Sequence, residues 1–307
     1  MKVDYVLVLA AGKGTRMGDI GKELPKVLWP VYDKSLLELQ VYYARELVPT
    51  AKIFINIFNY KDKIKSFVEN NSTFKDVNII EEQSMLDVGG AVHNIASSLG
   101  YKGNLLILNS DQFFYLNVES FQAELSKVID TSHLMFSYSV NSSDGYNAII
   151  VDEGKFKGIK LNKKIDRNKD IETYTGMSVI NLSKLDKIKG PSKFFESVIT
   201  QRSNCNVTKL VGVNYWDFGT ISRYVESIKQ VFRKYKSEDF FIKFLKNCGA
   251  ISPLNFFENG YKSELNFNFS GKRVDGLKNS IILSSSNQIS IDKKNVIVFN
   301  EITEDIL

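Results

Sequence analysis

The 307-residue chain contains only two cysteines, two histidines and two tryptophans. Cys205 and Cys248 are too few for a disulfide framework and lack the paired spacing of a metal site. They are expected as free thiols in a reducing, cytoplasmic setting. His93 and His133 stand singly, and each reads as a packing residue, one on a helix face and one at a strand end. No apolar run approaches the ~18–20 residues of a membrane span. Met1-Lys2-Val3-Asp4 leads straight into a strand pattern, so no signal peptide is expected. An excess of one charge is also missing. The net charge of +5 is spread along the chain, which suits anionic small molecules and argues against nucleic acid as a partner.

What is present is enough for a core. Hydrophobic residues make up 43% of the chain and aromatics 12%, which supports one large domain, or one with a small second, and excludes disorder as the ground state. Helix and strand patterns alternate over the first two-thirds. Leu36 to Leu47 has helical spacing and is stopped by Pro49. Ile53 to Phe58, Val77 to Ile80 and Leu105 to Leu108 read as buried strands. Helices are expected over Asp62–Val68, Gly89–Leu99 and Asn117–Ile129, the last with Asn117 as N-cap. From His133 the pattern changes to strands at Leu134–Val140, Tyr146–Val151, Lys155–Leu161 and Tyr174–Asn181, separated by Asp-Gly and Glu-Gly turn signals. These read as an antiparallel insertion or sub-sheet. Helices follow at Phe194–Gln201, Ser222–Tyr235 and Phe240–Leu245, and then a less regular tail from Ile251 with three short apolar steps at 279–283, 289–291 and 295–299. The expectation is an α/β fold with a mixed, mainly parallel sheet flanked by helices.

The most informative stretch is Leu9-Ala10-Ala11-Gly12-Lys13-Gly14-Thr15-Arg16-Met17-Gly18, answered by Leu24-Pro25-Lys26. A buried strand ends abruptly in small residues, and glycines let consecutive N–H groups converge on phosphate oxygens. Arg16 and Lys26 supply compensating charge. Two other phosphate loops are excluded. The P-loop needs Gly-Lys-Ser/Thr, whereas Gly14 follows Lys13. The dinucleotide fingerprint needs G-x-G-x-x-G, and glycines 12, 14 and 18 overshoot it by one residue. Leu9 to Met17 with Pro25-Lys26-Val27-Leu28 resembles the signature of the nucleoside-triphosphate transferases, the sugar-nucleotide pyrophosphorylases.

That resemblance runs over about residues 3 to 235. It implies a Rossmann-like catalytic domain of the nucleotide-diphospho-sugar transferase type over 1–235, and a C-terminal extension over 236–307, helical and then β-rich. The extension resembles the closing rungs of the left-handed β-helix found in some of these enzymes, although a plain antiparallel hairpin fits the pattern equally well. A rung-like tail would favour a homo-oligomer. The implied reaction is attack by an acceptor phosphate oxygen on the α-phosphorus of a nucleoside triphosphate. Such a nucleophile is already anionic, so no general base is needed and neither histidine has to act. Positioning, a magnesium ion and cationic side chains carry the catalysis.

The same resemblance supplies candidate residues. Arg16 and Lys26 would be catalytic. Leu9, Ala10, Ala11, Gly12, Gly14, Thr15, Arg16, Glu82, Gln83, Asp87, Gly89 and Gly90 would hold the nucleotide. Asp111 follows a buried strand, at the end where open α/β sheets bind ligands, with Ser110 in place of the family's glycine. Asp217 lies in Trp216-Asp217-Phe218-Gly219-Thr220, close to the family's W-x-D-x-G-T. Together they would hold Mg2+, which proteins commonly bind through one or two carboxylates plus substrate phosphates. Asp111, Lys163, Thr175 and Gly176 would contact the acceptor. Asp87-Val88 stands where Gly-Thr is usual. The paired Ala10-Ala11 is more like the uridylyl- and cytidylyltransferases, which favours UTP or CTP. The acceptor is a sugar 1-phosphate by default, in a surface-polysaccharide or envelope pathway. A non-sugar phosphate and a non-catalytic nucleotide-binding homologue are the alternatives.

Overall fold

The computed structural model describes residues 1–128, 133–200, 203–211, 214–234, 240–250, 267–268, 274–275, 280–284, 289–290, 295–300 and 302–306. The chain divides into two compact units. Unit 1 comprises Met1–Gly12, Tyr43–Asn109 and Phe114–Tyr215, and unit 2 comprises Lys13–Tyr42, Ser110–Phe113 and Trp216–Leu307.

Unit 1 is built on one nine-stranded sheet. Its strands are β1 (Tyr5–Leu9), β2 (Lys52–Ile57), β3 (Asn78–Glu81), β4 (Asn104–Asn109), β5 (His133–Asn141), β6 (Ala148–Asp152), β7 (Lys155–Lys160), β8 (Asp170–Asn181) and β9 (Cys205–Leu210). They lie in the order β3-β2-β1-β4-β8-β5-β9-β7-β6. The first four run parallel, with Leu7 of β1 facing Phe54 on one side and Ile107 on the other. Val6, Leu7, Val8, Leu105, Leu106 and Ile107 are fully buried, as expected of central parallel strands covered on both faces. β8 then joins antiparallel to β4 and to β5. The strands after His133 therefore continue the same sheet rather than forming a separate one. β9, which the sequence reading lacked, lies parallel to β5 and antiparallel to β7. The helix expected over Phe194–Gln201 is a single turn, Phe194–Ser197. Gln201 and Tyr235 lie outside the described residues.

The flanking helices of unit 1 include α2 (Lys61–Glu69), α3 (Asp87–Ser98) and α4 (Val118–Lys127); α1 (Leu36–Leu47) precedes them in the chain. Asn117 caps α4 by accepting a hydrogen bond from the Ser120 amide at 2.8 Å, a contact worth about 1 kcal/mol. Burial disfavours the charged form of His93 on α3. Its Nε2 lies 3.2 Å from the Ser197 carbonyl, so Nε2 carries the proton. Its Nδ1 is buried and has no hydrogen-bond partner among the described residues.

Unit 2 contains α5 (Ile221–Arg233) and α6 (Phe240–Asn247). Thr220 caps α5, accepting from the Arg223 amide at 3.2 Å. Tyr224, Val225, Ile228 and Val231 form the buried face of α5 at the spacing of an amphipathic helix. The tail strands are β10 (Phe267–Asn268), β11 (Val274–Asp275), β12 (Ile281–Ser284), β13 (Ile289–Ser290), β14 (Val296–Phe299) and β15 (Ile302–Asp305). β10, β12 and β14 stack parallel, as do β11 and β13, and β15 closes the stack antiparallel to β14. The tail thus joins the two alternatives the sequence offered, parallel rungs ending in a hairpin. Asn279, Ile291 and most of the stretch from Ile251 to Asn279 lie outside the described residues.

His93 makes acid stability testable. Burial lowers its pKa, and the Ser197 carbonyl and Asp186 offset this only in part. The folded state therefore resists protonation that the unfolded chain accepts below about pH 6.5. Stability contributed by the neutral imidazole is intact above that pH and lost as pH falls toward the depressed folded pKa. Thermal melts across about pH 7 to 5 are expected to show a falling Tm in wild type and a shallower fall in His93→Gln, which keeps a donor for Ser197. Equal slopes in the two proteins would assign the acid sensitivity to other groups.

Candidate active site

In unit 1 the candidate nucleotide residues gather at the carboxyl ends of β1, β2 and β3. Leu9 is in register with Asn56 and Asn109. The Ala10 amide donates to Asn56 Oδ1 at 3.0 Å, and Asn56 Nδ2 donates to Glu82 Oε1 at 2.7 Å. Asn59 Nδ2 donates to the Ala11 carbonyl at 2.8 Å. Gly12 is exposed, and a Cβ there would meet open space. Glu82 is only 5% exposed. Burial pushes its carboxyl pKa up, while the hydrogen bonds from Asn56 and the Leu86 amide pull it down. Its side chain is thus turned into the protein, whereas Gln83 and Asp87 are exposed.

Asp87 begins α3 with φ +58°, in the left-handed region that glycine occupies freely. A glycine at this position would adopt the conformation without strain. Asp87 Oδ1 accepts from the Val88 amide at 2.7 Å, local bonding of the kind that lets aspartate tolerate this conformation. Gly89 and Gly90 have a packing reason to be glycine. A Cβ at Gly89 would lie 2.6 Å from the Ser192 and Lys193 carbonyl oxygens, and one at Gly90 would lie 2.6 Å from that of Gly190.

Of the acceptor candidates in unit 1, Lys163 is exposed on a short turn, Asn162–Lys164. Thr175 is buried, and its hydroxyl donates to the Phe136 carbonyl at 3.0 Å and accepts from the Met177 amide at 3.2 Å. Gly176, at φ +83°, sits where the β8–β5 register shifts. Thr175 fixes that bulge rather than presenting a free hydroxyl.

Unit 2 brings the charged candidates together. Gly14, at φ +64°, starts a single turn over Thr15–Met17, closed by the Met17 amide on the Gly14 carbonyl at 2.9 Å. Thr15 is exposed on this turn. After Pro25, a second turn over Lys26–Leu28 is held beneath by Trp29. The Trp29 indole is fully buried, donates to the Leu24 carbonyl at 3.2 Å and meets the Tyr224 ring edge-on at 4.9 Å. Lys26 Nζ lies 2.5 Å from Asp111 Oδ2, with the lysine side chain 14% exposed, and Arg16 lies 3.9 Å from the same oxygen.

The Phe218 amide donates to the Asp111 backbone carbonyl at 2.8 Å, which ties Asp111 to the Asp217 segment. Asp217 is 7% exposed. Its Oδ1 accepts from the Gly219 amide at 2.6 Å and its Oδ2 from Arg223 Nη1 at 2.7 Å. Trp216, beside it, stacks on Phe241 at 3.9 Å. Gly219 marks where the carboxylates converge. A Cβ there would lie 2.8 Å from Asp217 Oδ1, 3.5 Å from Asp111 Oδ2 and 3.6 Å from Arg16 Nη2. Two carboxylates around one side-chain-free point are a hard-oxygen donor set that fits a magnesium ion. Among the described residues no group of three or more His, Cys, Asp and Glu could hold a metal alone. Substrate phosphates and water would have to complete the shell.

Three positions with no assigned part in the sequence reading belong to these networks: Asn56, Gly219 and Arg223. The signal for Asn56 is a lone polar residue within the apolar run of β2. Arg223 lies three residues past the N-cap Thr220, where its amide meets the cap and its guanidinium can turn back to Asp217. No helix among the described residues is long and apolar enough to cross a membrane.

Comparison with known proteins bears on the family and the fold. The bifunctional protein GlmU of Buchnera aphidicola subsp. Schizaphis graminum is 28% identical over 181 residues, covering 57% of this chain and 37% of that protein. GlmU of Aliarcobacter butzleri is 26% identical over 236 residues, covering 72% of this chain and 51% of that protein. The chain therefore spans between about a fifth and a half of the curated relatives it matches. Among solved structures, HddC from Yersinia pseudotuberculosis superposes with a TM-score of 0.63 at 17% identity, over 74% of this chain and 99% of that one, which shows the fold alone. The model of the family described as Nucleotidyl transferase matches residues 5–232. The chain belongs to the nucleotidyl transferase family.

Proposed function

We propose that the protein transfers a nucleotidyl group from a pyrimidine nucleoside triphosphate, UTP or CTP, to a sugar 1-phosphate with release of pyrophosphate. The observation that carries this is the Lys26–Asp111 pair, with Arg16 beside it and Asp217 across Gly219. A buried carboxylate and a half-buried one, each beside a cation, suit a polyanion that arrives with a divalent metal. Structural neighbours support the broader part of this reading, nucleotidyl transfer to a sugar phosphate. One of them is a putative glucose-1-phosphate thymidylyltransferase from Bacillus anthracis, with a TM-score of 0.61 at 17% identity, covering 79% of this chain and 99% of that one.

In this reading an acceptor phosphate oxygen forms a bond to the α-phosphorus, and the bond from that phosphorus to the β-phosphate bridging oxygen breaks. The electron pair leaves with pyrophosphate. No proton has to move. Arg16, 61% exposed, is free to swing onto the phosphates, and Lys26 supplies a mostly buried positive charge to the leaving group. The backbone at Gly12, Gly14 and Thr15 approaches phosphate oxygens. Leu9, Ala10 and Ala11 line the nucleoside side, with Gln83, Asp87 and the start of α3 at Gly89 and Gly90 beside the base. Asp111 and Asp217 would hold magnesium, which when bound offsets charge on the triphosphate and on the departing pyrophosphate. Lys163 and the Gly176 backbone, the latter fixed by Thr175, belong to the acceptor side.

Pyrophosphate release in magnesium, with four nucleoside triphosphates crossed against sugar 1-phosphates and amino-alcohol phosphates, is expected to give one strong pair with UTP or CTP. Asp111→Asn and Arg16→Ala should each lower kcat for that pair by about 10²–10³-fold. Near-wild-type turnover in both variants would remove the assignment. Triphosphate binding without release for any acceptor would favour a binding protein. Gly219→Ala should displace the Asp217 carboxylate, lowering stability by about 1–3 kcal/mol. It should also raise the magnesium concentration needed for half-maximal turnover; an unchanged requirement would separate Gly219 from the metal.

A further inference from the structure

Asn56 occupies a position that chain pattern would give to an apolar residue. Its neighbours in β2, Ile53, Phe54, Ile55 and Ile57, are all buried hydrophobics, and Asn56 is 4% exposed. A buried amide persists where all its bonds are made. Here it does two things at once. Its oxygen accepts from the Ala10 amide, the first residue beyond β1, and its NH2 donates to Glu82, the first residue beyond β3. Glu82 in turn accepts from the Leu86 amide, closing the loop 82–86 on itself. The Leu86 carbonyl takes the Ser192 amide at 3.0 Å. Gln83 and Asp87, the exposed polar residues of this loop, thus hang from a buried frame whose centre is Asn56.

We propose that Asn56 is a positioning residue which, through Glu82, locks the loop carrying Gln83 and Asp87 to the exit of β1 and so sets which base the protein prefers. This rests on the reading of the protein as a user of nucleoside triphosphates. Glu82 acts from within, its carboxylate spent on Asn56 and Leu86. The discriminating contacts belong to the exposed side chains that the frame aims. A small neutral side chain that accepts at one end and donates at the other has to be an amide, which accounts for asparagine at this point in a strand.

The pair admits an exchange test. Asn56→Asp alone sets a second carboxylate against Glu82. Glu82→Gln alone leaves one NH2 facing either the Asn56 NH2 or the Leu86 N–H. Together the two substitutions remake every bond, with donor and acceptor exchanged only between positions 56 and 82. The carboxylate at position 56 accepts from Ala10 and from the amide at 82, and the oxygen of that amide takes Leu86. Dissociation constants for the four nucleoside triphosphates in magnesium, by calorimetry, would be measured beside Tm. Each single variant is expected to weaken the preferred nucleotide about tenfold and to narrow its margin over the others, as when a buried polar group loses its partner. The double variant should return both to within about threefold of wild type. Single variants that lose Tm but keep the wild-type ranking and margin would show a merely structural pair, and a double variant no better than the singles would overturn the proposal. A wild-type protein that binds no triphosphate would instead remove the nucleotidyl-transfer reading itself.

Discussion

Lys26 places its ammonium 2.5 Å from a carboxylate oxygen of Asp111 with little of its side chain in solvent. A charge withdrawn from water that far needs an opposite charge. The pair is part-buried, so removing one partner leaves the other short of the water that would replace it. Much of unit 2 can be read as the means of meeting that requirement. Pro25 starts the turn that carries Lys26, and Trp29 anchors it on Tyr224, whose hydroxyl donates to the Pro30 carbonyl at 2.5 Å. On the other side, Phe218 binds the Asp111 backbone and brings Asp217 to the same place. Arg223 and the Gly219 amide then hold the second carboxylate. The result is a pair of acids, each matched by a cation, around a residue with no side chain.

That balance bears on how the site would be used. With Lys26, Arg16 and Arg223 against Asp111 and Asp217, the charge of the group favours an anion over a bare metal ion. A divalent ion entering alone would have to displace Lys26 from Asp111. One entering with a triphosphate brings its own ligands and offers Lys26 new oxygens. The separate network of unit 1 works without charge pairs. Its exits from β1, β2 and β3 are joined by an amide and a buried carboxyl, which constrain direction rather than charge.

Sequence made much of the fold legible where signals are local. Val6–Leu9, Ile53–Ile57 and Leu105–Leu108 are short, mainly apolar runs, and each lies in a parallel strand of the sheet. Asn117 announced its helix by the same hydrogen bond that the structure contains. β9 was not legible. Cys205-Asn-Val-Thr-Lys-Leu210 is half polar, and its strand character comes from pairing with β5, some seventy residues earlier. The charged residues 16, 26, 111 and 217 could be picked out because motif spacing marks them. The directions of Glu82 and Thr175 could not. Whether a side chain faces a ligand or its own core depends on distant partners, Asn56 for Glu82 and Phe136 for Thr175. Asn56 itself looks like an interruption in a strand until Ala10 and Glu82 are placed beside it.

The most direct measurement is manganese binding, followed by electron paramagnetic resonance, with and without a non-hydrolysable pyrimidine triphosphate. Wild type should bind the ion weakly alone and at least about tenfold more tightly with the triphosphate, because in the proposed site phosphate oxygens would complete the shell that Asp111 and Asp217 would begin. Lys26→Met should bind the bare ion more tightly than wild type, since Asp111 has lost its competing cation. Equal affinity with and without triphosphate, together with no change in Lys26→Met, would contradict the account of these carboxylates as a metal site held closed by Lys26.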